Sequence, residues 1–424
     1  MTAPAPVRWL PRRPDPALRT TALRVGFDPT DFKPGLKTRL LILQPTPFCN
    51  IDCDYCYLPE RHSTARMSLA TVRHAAERLL EDELVGEQLT VVWHAGEPLA
   101  MPVAWYDEAL VVLHEVLGSV CTVSHSIQTN ATLIDEAWCA LIKRHQIRIG
   151  VSIDGPADLH DAHRRTRSGK GTHARVLQGM ACLRAHGIDF HVIAVVTPAT
   201  FAQADAFVDF FEAQGVRELG CNFDEAEGGH RGSSLSGHEA AHAAFVARLL
   251  ERTRLAGSTV RIRELALALQ QIAEPLPMVK WQGEHWPENA QTLPFALISV
   301  AHNGDFSSFS PELLGQRSVE FGDFIFGNVA TSGYFEAASN ECFERVWGGV
   351  VRGTKACERS CSHFGFCGGG APANKFYENG DLASAETLYC RTVVKRPFNA
   401  VLAQLERDRN AVVAHPISEP ETQR

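Results

Sequence analysis

From Arg39 to Phe223 the chain repeats one unit, a short apolar or β-branched run followed by an amphipathic stretch. Runs at 40–43, 89–93, 122–128, 147–153, 190–196 and 218–223 read as strands, and 68–84, 104–117, 135–145, 172–186 and 204–213 read as helices. Strands alternating with helices of 10–15 residues predict a parallel sheet, because each helix carries the chain back to start the next strand in the same direction. Six units fall short of the eight that close a full barrel. The spacing therefore predicts an α/β fold, an open or partial (β/α)6 barrel of TIM type with its chemistry where strands end and βα loops begin.

The rhythm stops after Gly228-Gly229. Two amphipathic helices follow at 239–255 and 263–273, then a connector rich in Pro and Trp over 275–294. Runs at 295–300 and 306–309 around Asn303-Gly304 read as a β-hairpin. From there to about Arg396 the chain is rich in Gly and Cys and predicts little regular structure, so it needs a staple such as bound metal. These shifts divide the chain into an N-terminal extension (1–36), a barrel (37–235), a helical linker (236–294), a mostly irregular Cys-rich domain (295–396) and a C-terminal helix and tail (397–424).

The net charge of −8 argues against a nucleic-acid partner, since binding phosphates needs a basic surface. A basic run, His163-Arg164-Arg165-Thr166-Arg167, stands out against that background. No apolar run approaches the ~18–20 residues that span a bilayer, and the Pro- and Arg-rich N-terminus has no secretory core. A cytoplasmic chain with no membrane partner is expected. There, twelve cysteines point to metal or catalysis rather than disulfides.

Cys49, Cys53 and Cys56 follow the first strand directly. Thiolates hold iron–sulfur clusters, normally four per 4Fe–4S unit, and three would leave one iron open to a ligand. A zinc site completed by His62 is the alternative. Cys357, Cys361, Cys367 and Cys390 supply four thiolates, enough to ligate a second cluster fully or a tetrahedral zinc. Cys121, Cys139, Cys182, Cys221 and Cys342 read as core packing, a spare ligand being the alternative for Cys342.

Cys-x3-Cys-x2-Cys with an aromatic before the last Cys resembles the signature of the radical S-adenosylmethionine (SAM) superfamily. Further phrases follow in the superfamily's order: Ala95-Gly96-Glu97-Pro98, Gln128-Thr129-Asn130, Ser152-Ile153-Asp154-Gly155-Pro156 and Arg164. The resemblance implies that Gly96 and Glu97 hold the SAM amino group and that Gln128 and Asn130 lie beside SAM. It further implies that Ser152 and Asp154 bind the ribose, that Arg164 pairs with the SAM carboxylate, and that Tyr55 and Val195 touch adenine. A guanidinium matches a carboxylate in a two-bond fork.

The second cysteine set is similar to the SPASM or twitch type of extension in peptide-modifying members, which commonly has seven cysteines and two clusters. Ala371 stands where one of those cysteines would be, and 306–309 lacks another, so one auxiliary 4Fe–4S cluster is implied. Trp93–Leu99, Phe306–Leu313, Phe326–Val329 and Cys367–Lys375 resemble phrases of cyclophane-forming peptide maturases. Members of that group join an aromatic ring carbon to a β-carbon two residues on in a ribosomally made precursor peptide. The implied partners are that peptide and a one-electron donor such as flavodoxin or ferredoxin. The first 36 residues are too short for a winged-helix recognition domain, so leader binding is expected on the core or the hairpin region.

Loss of a ring proton needs a base, and Asp224, Glu225 and Glu227, just past the sixth strand, are candidates, with Glu312 behind them. Thioether formation, epimerisation or oxidation of Ser or Cys by the same radical chemistry are the alternative outcomes.

Overall fold

A computed structural model describes residues 25–414 apart from 59, 229 and 231. Most of the N-terminal extension, with the expected lack of a secretory core, and the last ten residues lie outside the described residues.

The six strands expected from the repeat form as Leu40–Leu43, Gln88–Trp93, Thr122–Thr129, Arg148–Ser152, Phe190–Val196 and Glu218–Phe223. They pair in chain order and all in parallel. Crossover helices Leu69–Glu81, Val103–Leu117, Glu136–His145, His173–Ala185 and Ala204–Ala213 connect them. Local chemistry starts these helices where it should. Ser68 caps the first with its side chain on the Thr71 N–H, and Asp135 caps the third through Trp138 N–H.

The sheet does not close. Arg261–Ile262 adds in parallel beside Glu218–Phe223, and Leu297–Val300 adds in parallel beside Leu40–Leu43. Asp305–Ser308 and Gly327–Asn328 then extend that side antiparallel, giving an open sheet of ten strands. The sheet thus runs across residue 295, where the sequence changes character. The hairpin is closed by Ala301 N–H on the Asp305 carbonyl at 2.8 Å, so three residues rather than two turn the chain, with Gly304 at φ +92°.

Two segments differ from expectation. The connector is a hairpin, Met278–Trp281 against Glu284–Pro287, which also pairs with Phe32–Lys33. Its Trp281 and Trp286 are buried among Phe32, Phe309 and Trp347, which gives a proline-rich stretch a reason to order.

The region expected to be irregular instead carries helices Glu341–Ser360 and Pro372–Asn379, and a π turn over Cys390–Lys395 runs into Arg396–Ala414. The long helix forms because Phe343, Val346, Trp347, Val350, Val351 and Thr354 keep one apolar face. Its glycines, which lowered the helical signal, are packing devices. A Cβ on Gly349 would lie 2.8 Å from Leu382 Cβ, and one on Gly353 would lie 2.2 Å from the Leu382 carbonyl.

Candidate functional site

At the ends of the parallel strands lies a cavity of about 390 Å³. Every residue the sequence marks for the first cluster and the SAM pocket lines it except Asp154: Cys49, Cys53, Cys56, Tyr55, Gly96, Glu97, Gln128, Asn130, Ser152, Arg164 and Val195. Asp224, Glu225, Glu227 and Glu312 line it too.

The cysteine loop is held from three sides. Ile51–Cys53 pairs antiparallel with Arg164–Thr166, with Cys53 opposite Arg164. Arg167 donates to the Cys49 carbonyl at 2.6 Å and stacks over Phe48, and Arg61 donates to the Cys53 carbonyl at 3.0 Å. The basic run is thereby spent mainly on fixing this loop. Below it, Glu97 N–H bonds the Phe48 carbonyl at 2.7 Å, and Gly96 sits at φ +58° against the loop backbone. A Cβ there would lie 2.5 Å from the Thr46 and Phe48 carbonyls. Ala95 shares this left-handed turn at φ +72°, a conformation that strains any side chain.

Glu97 accepts from Thr129 Oγ1 (2.6 Å), Leu99 N–H (2.9 Å) and Asn130 N–H (2.8 Å). Burial raises its carboxyl above the ordinary value, and those three donors partly offset the rise. Asn130 Nδ2 donates to Asn50 Oδ1 at 2.8 Å, which ties the third strand to the cysteine loop. Gln128 Nε2 donates to Ser152 Oγ at 2.9 Å. Burial pushes the Cys49 and Cys53 thiols up to about 12 and about 11; bound iron would take the place of those protons.

Asp154 lies behind the cavity wall rather than on it. Its Oδ2 accepts from Tyr55 OH (2.5 Å) and Arg164 Nε (2.9 Å), and its Oδ1 accepts from Val195 N–H (2.8 Å). All three donors come from the protein, so Asp154 is placed to orient three cavity residues. Burial alone would raise this carboxyl, but the Arg164 guanidinium beside it brings it below its ordinary value. The Nε bond uses one of the five N–H donors of Arg164.

On the far wall three half-buried glutamates, Glu225, Glu227 and Glu312, cluster. Glu225 accepts from Asn374 Nδ2 at 2.6 Å, a contact across 149 residues. Burial raises Glu225 to about 8, Glu227 to about 10 and Glu312 to about 7, with the charges of its neighbours adding to the rise in Glu227. The buried Asp224 carboxylate accepts from Ser234 N–H at 2.8 Å and so is tied into its own loop. The sequence reading missed Arg263, Asn374, Tyr389 and His94 on this cavity. Arg263 bonds Asn222 Oδ1 at 2.7 Å, and burial pushes His94 down to about 4. Asn374 and His94 lay within phrases already singled out.

A second cavity of about 210 Å³ is lined by Cys357, Cys361, Cys367 and Cys390. Gly368, Gly369 and Gly370 all take positive φ (+63°, +105°, +75°), turning the chain so that Cys367 and Gly370 reach the same cavity. Lys375, buried, points Nζ at Cys357 Sγ at 3.4 Å. Cys342 is elsewhere, its thiol on the Phe321 carbonyl at 2.8 Å, so it is no spare ligand.

Residues 43–211 match the Radical SAM superfamily. The chain is 36% identical over 386 residues to the uncharacterized protein sll1766 of Synechocystis sp., covering 89% of this chain and 94% of that one. The chain belongs to the radical SAM superfamily. It is also 34% identical over 182 residues to the serine-type anaerobic sulfatase-maturating enzyme of Klebsiella aerogenes, covering 42% of this chain and 45% of the enzyme. The chain thus spans about half the length of that relative. Among solved structures, native anSMEcpe with bound AdoMet superposes with a TM-score of 0.71 at 19% identity, covering 88% of this chain and 99% of that one. Streptococcus suis SuiB bound to precursor peptide SuiA gives 0.58 at 16% identity, covering 84% and 76%. These likenesses share the fold.

The radical SAM cluster that the superfamily implies fits the cysteine loop better than zinc does. Among the described residues, only Cys139, Cys182 and His186 bring three potential ligand atoms within 4.8 Å of one another. Cys49, Cys53 and Cys56 are therefore spread wider than one tetrahedral zinc allows, with its bonds of about 2.3 Å to sulfur. His62 is held by Arg167. The four cysteines of the second cavity are likewise not drawn in to single-ion spacing.

Proposed function

We propose that this radical SAM enzyme is a peptide maturase that joins an aromatic ring carbon to a β-carbon in a ribosomally made precursor. The open sheet acts as a partial (β/α)6 barrel, and the Cys-rich C-terminal part acts as a SPASM-type domain. The observation that carries the reading is a single cavity, walled on one side by the cysteine loop and on the other by a cluster of carboxyls, of which Glu225 is engaged by Asn374 of the C-terminal part.

When bound, the cluster on Cys49, Cys53 and Cys56 with SAM supplies a hydrogen-abstracting radical, and a cluster on Cys357, Cys361, Cys367 and Cys390 supplies a one-electron acceptor. Arg164, held by Asp154, would pair with the SAM carboxylate, and the remaining acceptor capacity of Glu97 would take the amino group. Gln128 fixes Ser152 for the ribose, and Tyr55 and Val195 frame the adenine. Cavity walls exclude water from the reactive centre. The crosslink removes one hydrogen atom from the β-carbon and one proton from the ring. Glu225 in its ionised form accepts that proton, burial making it a stronger base than an ordinary carboxylate, while Glu227, pushed up to about 10, keeps its own proton at neutral pH.

Likeness to sulfatase-maturating enzymes favours a second reading, oxidation of a Ser or Cys side chain to an aldehyde. Crosslinking and oxidation of Ser both remove two hydrogens, so mass alone does not separate them, whereas Cys taken to the aldehyde also exchanges its sulfur for an oxygen from water. The test is anaerobic turnover with SAM, dithionite and the peptide encoded beside this chain. A crosslink silences backbone fragmentation between the joined residues, whereas an aldehyde reacts with hydroxylamine. A thioether from Cys also removes two hydrogens but consumes a thiol, and epimerisation leaves the mass unchanged. Cleavage of SAM with an unaltered peptide would refute the maturase reading.

A further inference from the structure

Cys139, Cys182 and His186 line neither cavity. Cys139 comes from helix Glu136–His145 and Cys182 from helix His173–Ala185, with His186 at the end of the latter. Residues four apart on a helix share a face, so Cys182 and His186 are presented together toward Cys139. The two sulfurs are 3.6 Å apart, and Cys182 Sγ lies 4.0 Å from His186 Nδ1.

Zinc bonded to sulfur at about 2.3 Å and to nitrogen at about 2.0–2.1 Å in a tetrahedron holds its ligands about 3.5–3.8 Å apart. The three atoms already sit near that spacing. The sulfurs are well beyond the roughly 2.05 Å of a disulfide. Two thiols with one imidazole are a donor set that suits zinc over the hard cations. Cys139 is buried, while Cys182 and His186 are partly exposed, which gives a water access as fourth ligand.

We propose that Cys139, Cys182 and His186 form a zinc site that clasps these two crossover helices together, separate from the radical chemistry. Each thiol releases one proton as zinc binds. His186 exchanges its present hydrogen bond to the Cys182 carbonyl (2.9 Å) for the metal, and the proton of the neutral imidazole resides on Nε2. The site therefore adds a staple to helices that otherwise meet through apolar packing in the shared core.

The test is metal analysis of the full chain, purified anaerobically from cells grown with added zinc. About one zinc per chain is expected beside the iron. C139S and C182S should each lower zinc below about a tenth per chain with iron unchanged. Since Cys139 is buried and its variant can misfold, H186Q at the partly exposed ligand reads out the same loss. A zinc chelator should lower the melting temperature of the parent chain but not of C182S. A chain without zinc, zinc that survives these substitutions, or a Cys139–Cys182 disulfide in the intact mass would each overturn the proposal.

Discussion

Asp154 and Arg164 form a buried ion pair in which the acid serves the base. Removing one partner of such a pair leaves a buried charge uncompensated, at about 3–5 kcal/mol. Asp154→Asn keeps the shape and loses the charge, so Arg164 is released from its orientation. The expected result is a lower melting temperature and a Kd for SAM raised about tenfold, read by titration of the reconstituted enzyme. SAM affinity equal to that of the parent would show that Asp154 does not set Arg164. The glutamates make a pH prediction of the opposite sign to the usual carboxylate case. Their folded proton affinities are raised, so the stability they confer is complete below about pH 4.5, the ordinary glutamate value. It is lost as pH rises toward about 7 for Glu312, about 8 for Glu225 and about 10 for Glu227. Unfolding free energy measured from pH 5 to 9 should fall less steeply in Glu227→Gln than in the parent, and an unchanged slope would count against a protonated Glu227.

The crossover helices and parallel strands were legible because each follows from short-range periodicity and a local cap such as Ser68 or Asp135. The hairpin Met278–Trp281 with Glu284–Pro287 was not, since its order depends on Phe32 and Trp347 arriving from distant parts of the chain. The helix Glu341–Ser360 was hidden by glycines that only its contact with Leu382 explains. Trp347, fully buried in that aromatic cluster, is its anchor. Trp347→Ala is expected to cost about 3–5 kcal/mol in denaturant unfolding. The second cysteine set belongs to this scale as well. Cys390→Ser or Cys361→Ser should drop the iron content from about eight to about four per chain while SAM cleavage persists. Loss of all iron would instead mean that the two cysteine sets are not separate sites.

For the whole molecule, the open sheet joins the βα repeat to the hairpin beyond residue 295 through Leu297–Val300 beside Leu40–Leu43. That pairing places the C-terminal part over the cavity, so Asn374 reaches Glu225 and the main cavity includes Gln291, Glu312 and Tyr389. Among the described residues no helix is long and apolar enough to cross a membrane. The sequence by itself determined the strand–helix order, the three-cysteine loop and the succession of phrases around Glu97, Asn130, Ser152 and Arg164, because these depend on spacing within a few residues. Only the tertiary structure decided that Asp154 stands behind the wall, that Cys342 is out of reach and that Cys139 meets Cys182 and His186. Those outcomes depend on which distant segments share a neighbourhood, and no local periodicity encodes that.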